Sequence, residues 1–277
     1  MNSVRAVAHE WIPPRILRIL RRGGKPDTRV FNSYSHALRV CGTGYDDDLI
    51  AEVVVAKTDV FQRDLKDGQP VIDLGSFRTL IAMGFAEKRN PLKILDFGGA
   101  AGYHYFIARL TAESHTRLDW RVVETTSMAN AAGRLANEEL SFFPSIEDAV
   151  KTWEGPPDLV FASGVLMYVP DPLDTLGRLL SLQANRVFVT RTGLSPDETT
   201  RFIVQESTLA DNGPGPLPPG VVDKEVTYPN TFIPLTAFER LITSSGYNII
   251  ARVNEDTAVW RAGNTLINQY GYLCQLN

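Results

Sequence analysis

Residues 93–106, KILDFGGAAGYHYF, decide the reading of this chain. The run starts as an apolar strand, reaches Asp96, and then places Gly98, Gly99 and Gly102 before an aromatic stretch able to form a helix. Strand, glycine turn and helix in that order make one crossover of a parallel sheet. They put the turn at the sheet's carboxyl edge, where open α/β sheets bind ligands. Glycines there permit positive φ and let a ligand approach bare N–H groups, while the helix N-terminus favours a carboxylate or phosphate. Asp96 adds the opposite charge, so a ligand carrying both a carboxylate and a cation, such as an amino-acid headgroup, suits the turn. A nicotinamide dinucleotide suits it less, because the G-x-G-x-x-G spacing needs glycine at 97, where Phe97 stands.

The same alternation runs on from this turn. DWRVVE (119–124), LSFF (140–143), DLVFAS (158–163) and NRVFVT (185–190) are each followed by a segment able to form a helix. This predicts a parallel sheet covered on both faces. LTAFERLITSSG (235–246) sets Phe238, Leu241 and Ile242 on one helical face. YNIIARV (247–253) and NQYGYLCQL (268–276) then read as two strands which, lacking a helix between them, pair antiparallel. DNGPGPLPPG (211–220) cannot continue a helix or a central strand and reads as a loop. Upstream, residues 47–65 and 73–88 are helical in pattern and show no strand alternation. The expected organisation is a helical cap over residues 1–90 followed by a Rossmann-like domain over 91–277.

Composition bounds the function. The 277 residues are 44% hydrophobic and 22% charged with a net charge of -4, which is a globular balance without a polyelectrolyte signature, so nucleic acid is not the expected partner. Cys41 and Cys274 stand at opposite ends without metal-ligand spacing, pointing to a reducing, cytoplasmic setting and to no zinc or disulfide framework. No apolar run approaches the roughly 18 residues of a membrane span, and no signal-peptide pattern opens the chain.

Glu124 follows Gly102 by 22 positions, close to the spacing of about 20 at which an acid reaches a ribose hydroxyl, so the expected ligand contains a nucleoside. Here the sequence resembles the class I S-adenosylmethionine-dependent methyltransferases, whose first-strand motif is D-x-G-x-G-x-G with an acid ending the second strand. Asp96, Gly98 and Gly102 match it, and Ala100 replaces the middle glycine. Gly99 beside it is expected to offset that loss of freedom, and alanine permits close approach where its φ is negative. PPRILRILRR (13–22), GYDDDLIAEVV (44–54), ILDFGGAAG (94–102), VVE (122–124) and LMYVPDPLDTL (166–176) are similar to a methyltransferase family often encoded among surface-polysaccharide biosynthesis genes. That resemblance implies a mostly parallel class I sheet with an antiparallel last strand, S-adenosylmethionine as cofactor, and a saccharide or lipid-linked acceptor. It also makes FASGVLMYVPDP (161–172) the fourth strand and its loop, bordering cofactor and acceptor, with Ser163, Gly164, Met167 and Tyr168 as pocket residues.

Asp96, Gly98, Gly99, Gly102, Glu124, Ser163 and Gly164 are therefore the expected cofactor-binding set. His104 falls in the first turn of the helix after the glycines, where the helix dipole keeps an imidazole neutral and able to accept a proton; with Tyr168 it is the expected catalytic residue. His36 is a weaker candidate, and His9 and His115 read as surface residues. Either Tyr103 or Tyr105 can line an acceptor site, the other packing in the core. In GTGYDDD (42–48), Asp46, Asp47 and Asp48 beside Tyr45 serve to cap a helix or to contact an acceptor hydroxyl. In residues 12–25, Ile12, Ile16, Leu17, Ile19 and Leu20 with five basic residues either dock on the cap or lie weakly on an anionic membrane. No metal-ligand cluster or nucleophile elbow is present in the sequence. Three readings follow: a methyltransferase acting on a hydroxyl of a saccharide or other small acceptor, a non-catalytic cofactor-binding or partner-binding module, and a nucleotide-dependent oxidoreductase disfavoured by Phe97.

Overall fold

The computed structural model describes residues 29–42, 44–68, 72, 74–255 and 260–277. His9 and the 12–25 segment expected to dock on the cap or a membrane lie outside them. Among the described residues three helices come first: α1 (Tyr34–Cys41), α2 (Asp48–Lys66) and α3 (Phe77–Phe85). The sheet domain then runs β1 (Leu92–Phe97), α4 (Tyr103–Thr111), β2 (Leu118–Val123), α5 (Thr126–Ala132), β3 (Leu140–Phe143), α6 (Ile146–Val150), β4 (Leu159–Ser163), α7 (Pro172–Ser181) and β5 (Arg186–Ser195). It closes with β6 (Arg201–Thr208), β7 (Glu225–Pro234), α8 (Leu235–Ser244), β8 (Tyr247–Asn254), β9 (Trp260–Ala262) and β10 (Thr265–Leu276).

The sheet order is β3-β2-β1-β4-β5-β10-β8. Strands β1 to β5 pair in parallel, and β10 runs antiparallel to both β5 and β8. This is the expected α/β sheet, mostly parallel with an antiparallel last strand. Helices bury it on both sides, which is why β4 is apolar without alternation and buried at every position. One core layer gathers Ile94, Trp120, Phe161 and Phe188 of the sheet with Ala82 of α3 and Phe106 and Ile107 of α4. The opposite layer gathers Leu95, Val160 and Val187 with Leu176, Leu179 and Leu180 of α7 and Phe238 and Ile242 of α8.

Two features lie outside the sequence expectation. Strands β6 and β7 form an antiparallel hairpin from Arg201↔Phe232 to Thr208↔Glu225, and the 211–220 loop is part of its connection. Pro229 obscures β7 in the sequence, yet β7 meets β5 only at Leu194↔Ile233 and Ser195↔Pro234, so the missing N–H of Pro229 interrupts no ladder to β5. The cap also touches the sheet through more than helices, since Phe31 makes a single antiparallel bridge to Phe202. Helix α1 packs on β6 and β7, α2 on α5, and α3 on α4. Asp47 caps α2 by accepting from the N–H groups of Leu49 at 2.9 Å and Ile50 at 3.3 Å. Lys57 of α2, 2% exposed, donates to the carbonyls of Ala210 (2.8 Å) and Asn212 (2.6 Å), tying the start of the long loop to the cap.

Candidate functional site

The turn after β1 is built from left-handed backbone. Gly98 has φ +73°, and a Cβ there would lie 2.3 Å from Val165 Cγ2; Gly102, at +79°, caps α4. Ala100 has φ +51°. The condition under which alanine would permit close approach, a negative φ, is not met: the turn demands the glycine conformation at the third position and an L residue is held in it. Gly99 is required for a different reason, because a Cβ would stand 2.2 Å from Asp96 Oδ2. Glu124, one residue beyond β2, reaches back over the turn. One carboxylate oxygen accepts from Ala100 N–H at 2.9 Å and the other from Thr125 N–H at 3.0 Å. Burial pushes its pKa up, while those two hydrogen bonds oppose the rise.

Asp96 is fully buried and accepts from Trp120 Nε1–H at 3.1 Å. Its oxygens lie 3.0 and 3.2 Å from Nδ1 of His104. The sequence expectation set Asp96 directly on a ligand's cation; here its oxygens face inward and its work is to orient the histidine. With Nδ1–H donating to the carboxylate, Nε2 is the acceptor nitrogen of the ring, and it makes no hydrogen bond among the described residues. The ring packs against Phe161 at a centroid distance of 4.9 Å.

At the end of β4, Ser163 and Gly164 both accommodate Arg191. The arginine donates from Nε to Ser163 Oγ at 3.2 Å and from Nη2 to the Ser163 carbonyl at 2.9 Å, and a Cβ on Gly164 would meet Nη2 at 2.7 Å. Tyr168 lies in the following short turn, where its hydroxyl donates to Gln205 Oε1 at 2.9 Å and its carbonyl accepts from Tyr34 at 2.9 Å. Tyr45 stands edge-on to Tyr168 (4.7 Å) and stacks on Tyr228 (3.8 Å). Burial raises the pKa of both Tyr45 and Tyr168, keeping them as neutral phenols. The structure therefore brings together the glycine turn, Glu124, Val165 of the fourth-strand loop and, beyond it, Tyr168, Tyr45 and Arg191.

Several candidates lie elsewhere. Met167 packs with Phe232 and Ile267. Tyr105 is buried and donates to Glu139 at 3.0 Å, whereas Tyr103 exchanges a hydrogen bond with Ser76 at 2.8 Å. His36 stands edge-on to Phe31, His115 pairs with Glu113 in solvent, and Asp46 is exposed. The sequence reading missed Arg191, Gln205 and Glu255; a cation directly after the apolar run of β5 was the signal available. Among the described residues no His, Cys, Asp or Glu group is arranged to hold a metal, and no helix is long and apolar enough to cross a membrane. Two open grooves, about 460 Å³ beside Lys93 and Asp158 and about 510 Å³ along Leu80 and Met83, lie at the amino edge of the sheet, away from the glycine turn.

No protein-family model matches the chain, and no curated protein matches it. Among solved structures it is similar to the CcbJ methyltransferase from Streptomyces caelestis (13% identity, 73% of this chain and 95% of that one, TM-score 0.47). It is also similar to the glycopeptide N-methyltransferase MtfA complexed with sinefungin (13%, 76% and 89%, TM-score 0.48). A third is magnesium protoporphyrin IX methyltransferase from Synechocystis PCC 6803 with bound SAM (12%, 100% and 98%, TM-score 0.42).

Proposed function

We propose that this chain is an S-adenosylmethionine-dependent methyltransferase acting on a hydroxyl of a saccharide or other small acceptor, within surface-polysaccharide synthesis and in the cytoplasm. The observation that carries the reading is the left-handed turn at 98–102 lying against the carboxylate of Glu124. Positions 98 and 102 leave no room for a side chain, because Val165 lies against the first and Leu140 and Phe142 against the second, so the turn beside Glu124 stays narrow and glycine-built. Glu124 uses one lone pair on each oxygen and keeps the others for a ribose diol. The residues thus fit the cofactor: Glu124 on the ribose, the backbone of Gly98 to Gly102 around the methionine moiety, and Gly99, Ser163 and Gly164 framing it. Asp96 belongs to this set through His104 rather than by contact. The division into a cap, residues 1–90, and a catalytic domain, residues 91–277, belongs to the same reading.

The bound sulfonium supplies a methyl group already activated for transfer. The protein's part is alignment, exclusion of water and removal of one proton. Asp96, fixed by Trp120, holds Nδ1–H of His104, which leaves Nε2 as the base for the acceptor hydroxyl, a contribution of roughly 10² to 10⁴ in rate. Tyr168, held by Gln205 and Tyr34, closes the acceptor end.

Calorimetric titration with S-adenosylhomocysteine tests the reading. Wild type binds, and Glu124→Ala loses more than about tenfold in affinity, as the loss of a charge-assisted hydrogen bond of about 1.5–3 kcal/mol requires. Unchanged affinity removes Glu124 from the site. A second reading, a cofactor-binding module without turnover, draws on Ala100, whose strained backbone and occupied N–H depart from the glycine motif. Under it wild type and His104→Gln bind the cofactor equally and neither transfers a methyl group.

A further inference from the structure

Strand β5 contains one residue too many. Val189 pairs with Tyr272 and Thr192 with Tyr270, so three steps on β5 oppose two on β10. Val189 and Leu194, five positions apart, face the same core layer, which an uninterrupted pleat forbids. The extra residue is taken up at Arg191, whose φ of +54° is the left-handed conformation that non-glycine residues avoid. Bulges of this kind re-aim a side chain, and backbone strain gathers at functional sites.

The bulge also sits at an opening. β4 ends at Ser163, paired with Thr190, and β7 joins β5 only from Leu194 onward. Residues 191–193 span the gap between these two partners, at the carboxyl edge of the sheet. Through it the Arg191 side chain turns back over Gly164 and is fixed by Ser163 on two of its three nitrogens. Nη1 makes no hydrogen bond, and no carboxylate pairs with the guanidinium among the described residues. Glu255 is not its counterion: it accepts Arg191's backbone N–H at 3.1 Å and the Thr190 hydroxyl, and its charge is met by Arg78. Arg191 is solvent-exposed, and desolvation by its surroundings, with the Arg78 charge second, lowers its pKa. The Tyr168 hydroxyl and the Asn230 amide both donate to Gln205 Oε1, at 2.9 and 3.1 Å, which fixes the phenol on the side of Arg191.

An exposed guanidinium with no carboxylate hydrogen-bonded to it, close enough to the Tyr45 and Tyr168 phenols to feel their charge, suits a ligand that carries an anion beside hydroxyl groups. We propose that the methyl acceptor bears an oxyanion, carboxylate or phosphate, and that Arg191 receives it. The proposal rests on the methyltransferase reading and narrows the acceptor to acidic or phosphorylated saccharides.

Binding of glucose 6-phosphate, glucuronate and glucose is measured by calorimetry on wild type, Arg191→Gln and Arg191→Lys, with and without saturating S-adenosylhomocysteine. At least one charged sugar binds wild type tenfold or more tightly than glucose, and which of the two prevails identifies phosphate or carboxylate. Arg191→Gln loses at least tenfold for that sugar. Arg191→Lys, which keeps the charge without the fork to Ser163, loses less and keeps the preference testable if the glutamine variant does not fold. Equal binding of charged and neutral sugars overturns the proposal, as does unchanged charged-sugar affinity in Arg191→Gln. So does a tenfold loss of S-adenosylhomocysteine in Arg191→Gln with no loss of 5′-methylthioadenosine, which lacks the carboxylate, because Arg191 would then hold the cofactor. A wild type that binds charged sugars but no S-adenosylhomocysteine defeats the methyltransferase reading alone.

Discussion

Ala100 and Gly98 occupy the same turn and both have positive φ, but only the alanine is strained by it. At φ +51°, Ala100 gives up about 1–2 kcal/mol that glycine would not, and the greater chain entropy of unfolded glycine takes back about 0.4–1 kcal/mol. Ala100→Gly is therefore expected to raise the unfolding free energy by up to about 1.6 kcal/mol in urea titration. At Gly98 the same conformation is combined with a Cβ position only 2.3 Å from Val165 Cγ2. Gly98→Ala should cost more than about 2 kcal/mol, the sum of the left-handed penalty and overpacking. A destabilising Ala100→Gly, or a neutral Gly98→Ala, would refute this account of the turn. The turn was legible in the sequence because its geometry dictates residue type: only glycine fits at 98 and 99, and the acid at 96 ends the strand. The orientation of Asp96 was not legible, since Trp120, which draws its carboxylate inward, lies 24 positions away.

Among the elements, the β5 bulge depends on a buried ion pair that joins the cap to the far end of β8. Glu255 is 4% and Arg78 18% exposed at the side chain. Burial alone would raise the Glu255 pKa, but the donors from Arg78, Thr190 and the Arg191 N–H outweigh it and hold the group below its ordinary value of 4.5. A depressed carboxyl contributes stability at pH above that ordinary value, and the contribution is lost as pH falls through the folded value. Arg78→Ala leaves a buried charge without a partner and should cost about 3 kcal/mol at neutral pH, the lower end of the range for breaking such pairs. The difference from wild type should narrow in acid, where protonation of Glu255 removes the charge; chemical unfolding at about pH 7 and at about pH 3 measures both. An acid-independent difference would assign the loss to packing. None of this was readable from NRVFVT, which scans as an ordinary buried strand: the extra residue exists only relative to Tyr270 and Tyr272 of β10. Strand β7 was hidden for a different reason, with Pro229 inside it and Pro234 at its end suppressing the strand pattern. The β1 to β5 alternation needed no such distant partner, which is why the parallel half of the sheet was visible from sequence.

Across the whole molecule, the cap, the β6–β7 hairpin and the fourth-strand loop meet on three tyrosines. Tyr45 comes from the approach to α2, Tyr168 from the loop and Tyr228 from β7, with Tyr34 of α1 bonding the Tyr168 carbonyl. In the proposed function this nucleus roofs the acceptor side, whereas Glu124 and the glycine turn form the cofactor side within the sheet domain. The two functions separate in a thermal experiment. A ligand at 100 times its Kd stabilises by about 2.7 kcal/mol, and roughly 2–4 °C per kcal/mol for a chain of this size gives an expected shift of about 5–10 °C with S-adenosylhomocysteine. Tyr45→Ala removes a stacked ring from the roof and should lower the ligand-free Tm, by about 2 kcal/mol of stability, while keeping most of the ligand-induced shift. Glu124→Ala discards a desolvated carboxylate together with its two hydrogen bonds, so its ligand-free Tm should move much less, and the ligand-induced shift should largely vanish. If Tyr45→Ala abolished the shift instead, the cap would have to take part in holding the cofactor, and the division of the cleft into a cofactor floor and an acceptor roof would be wrong.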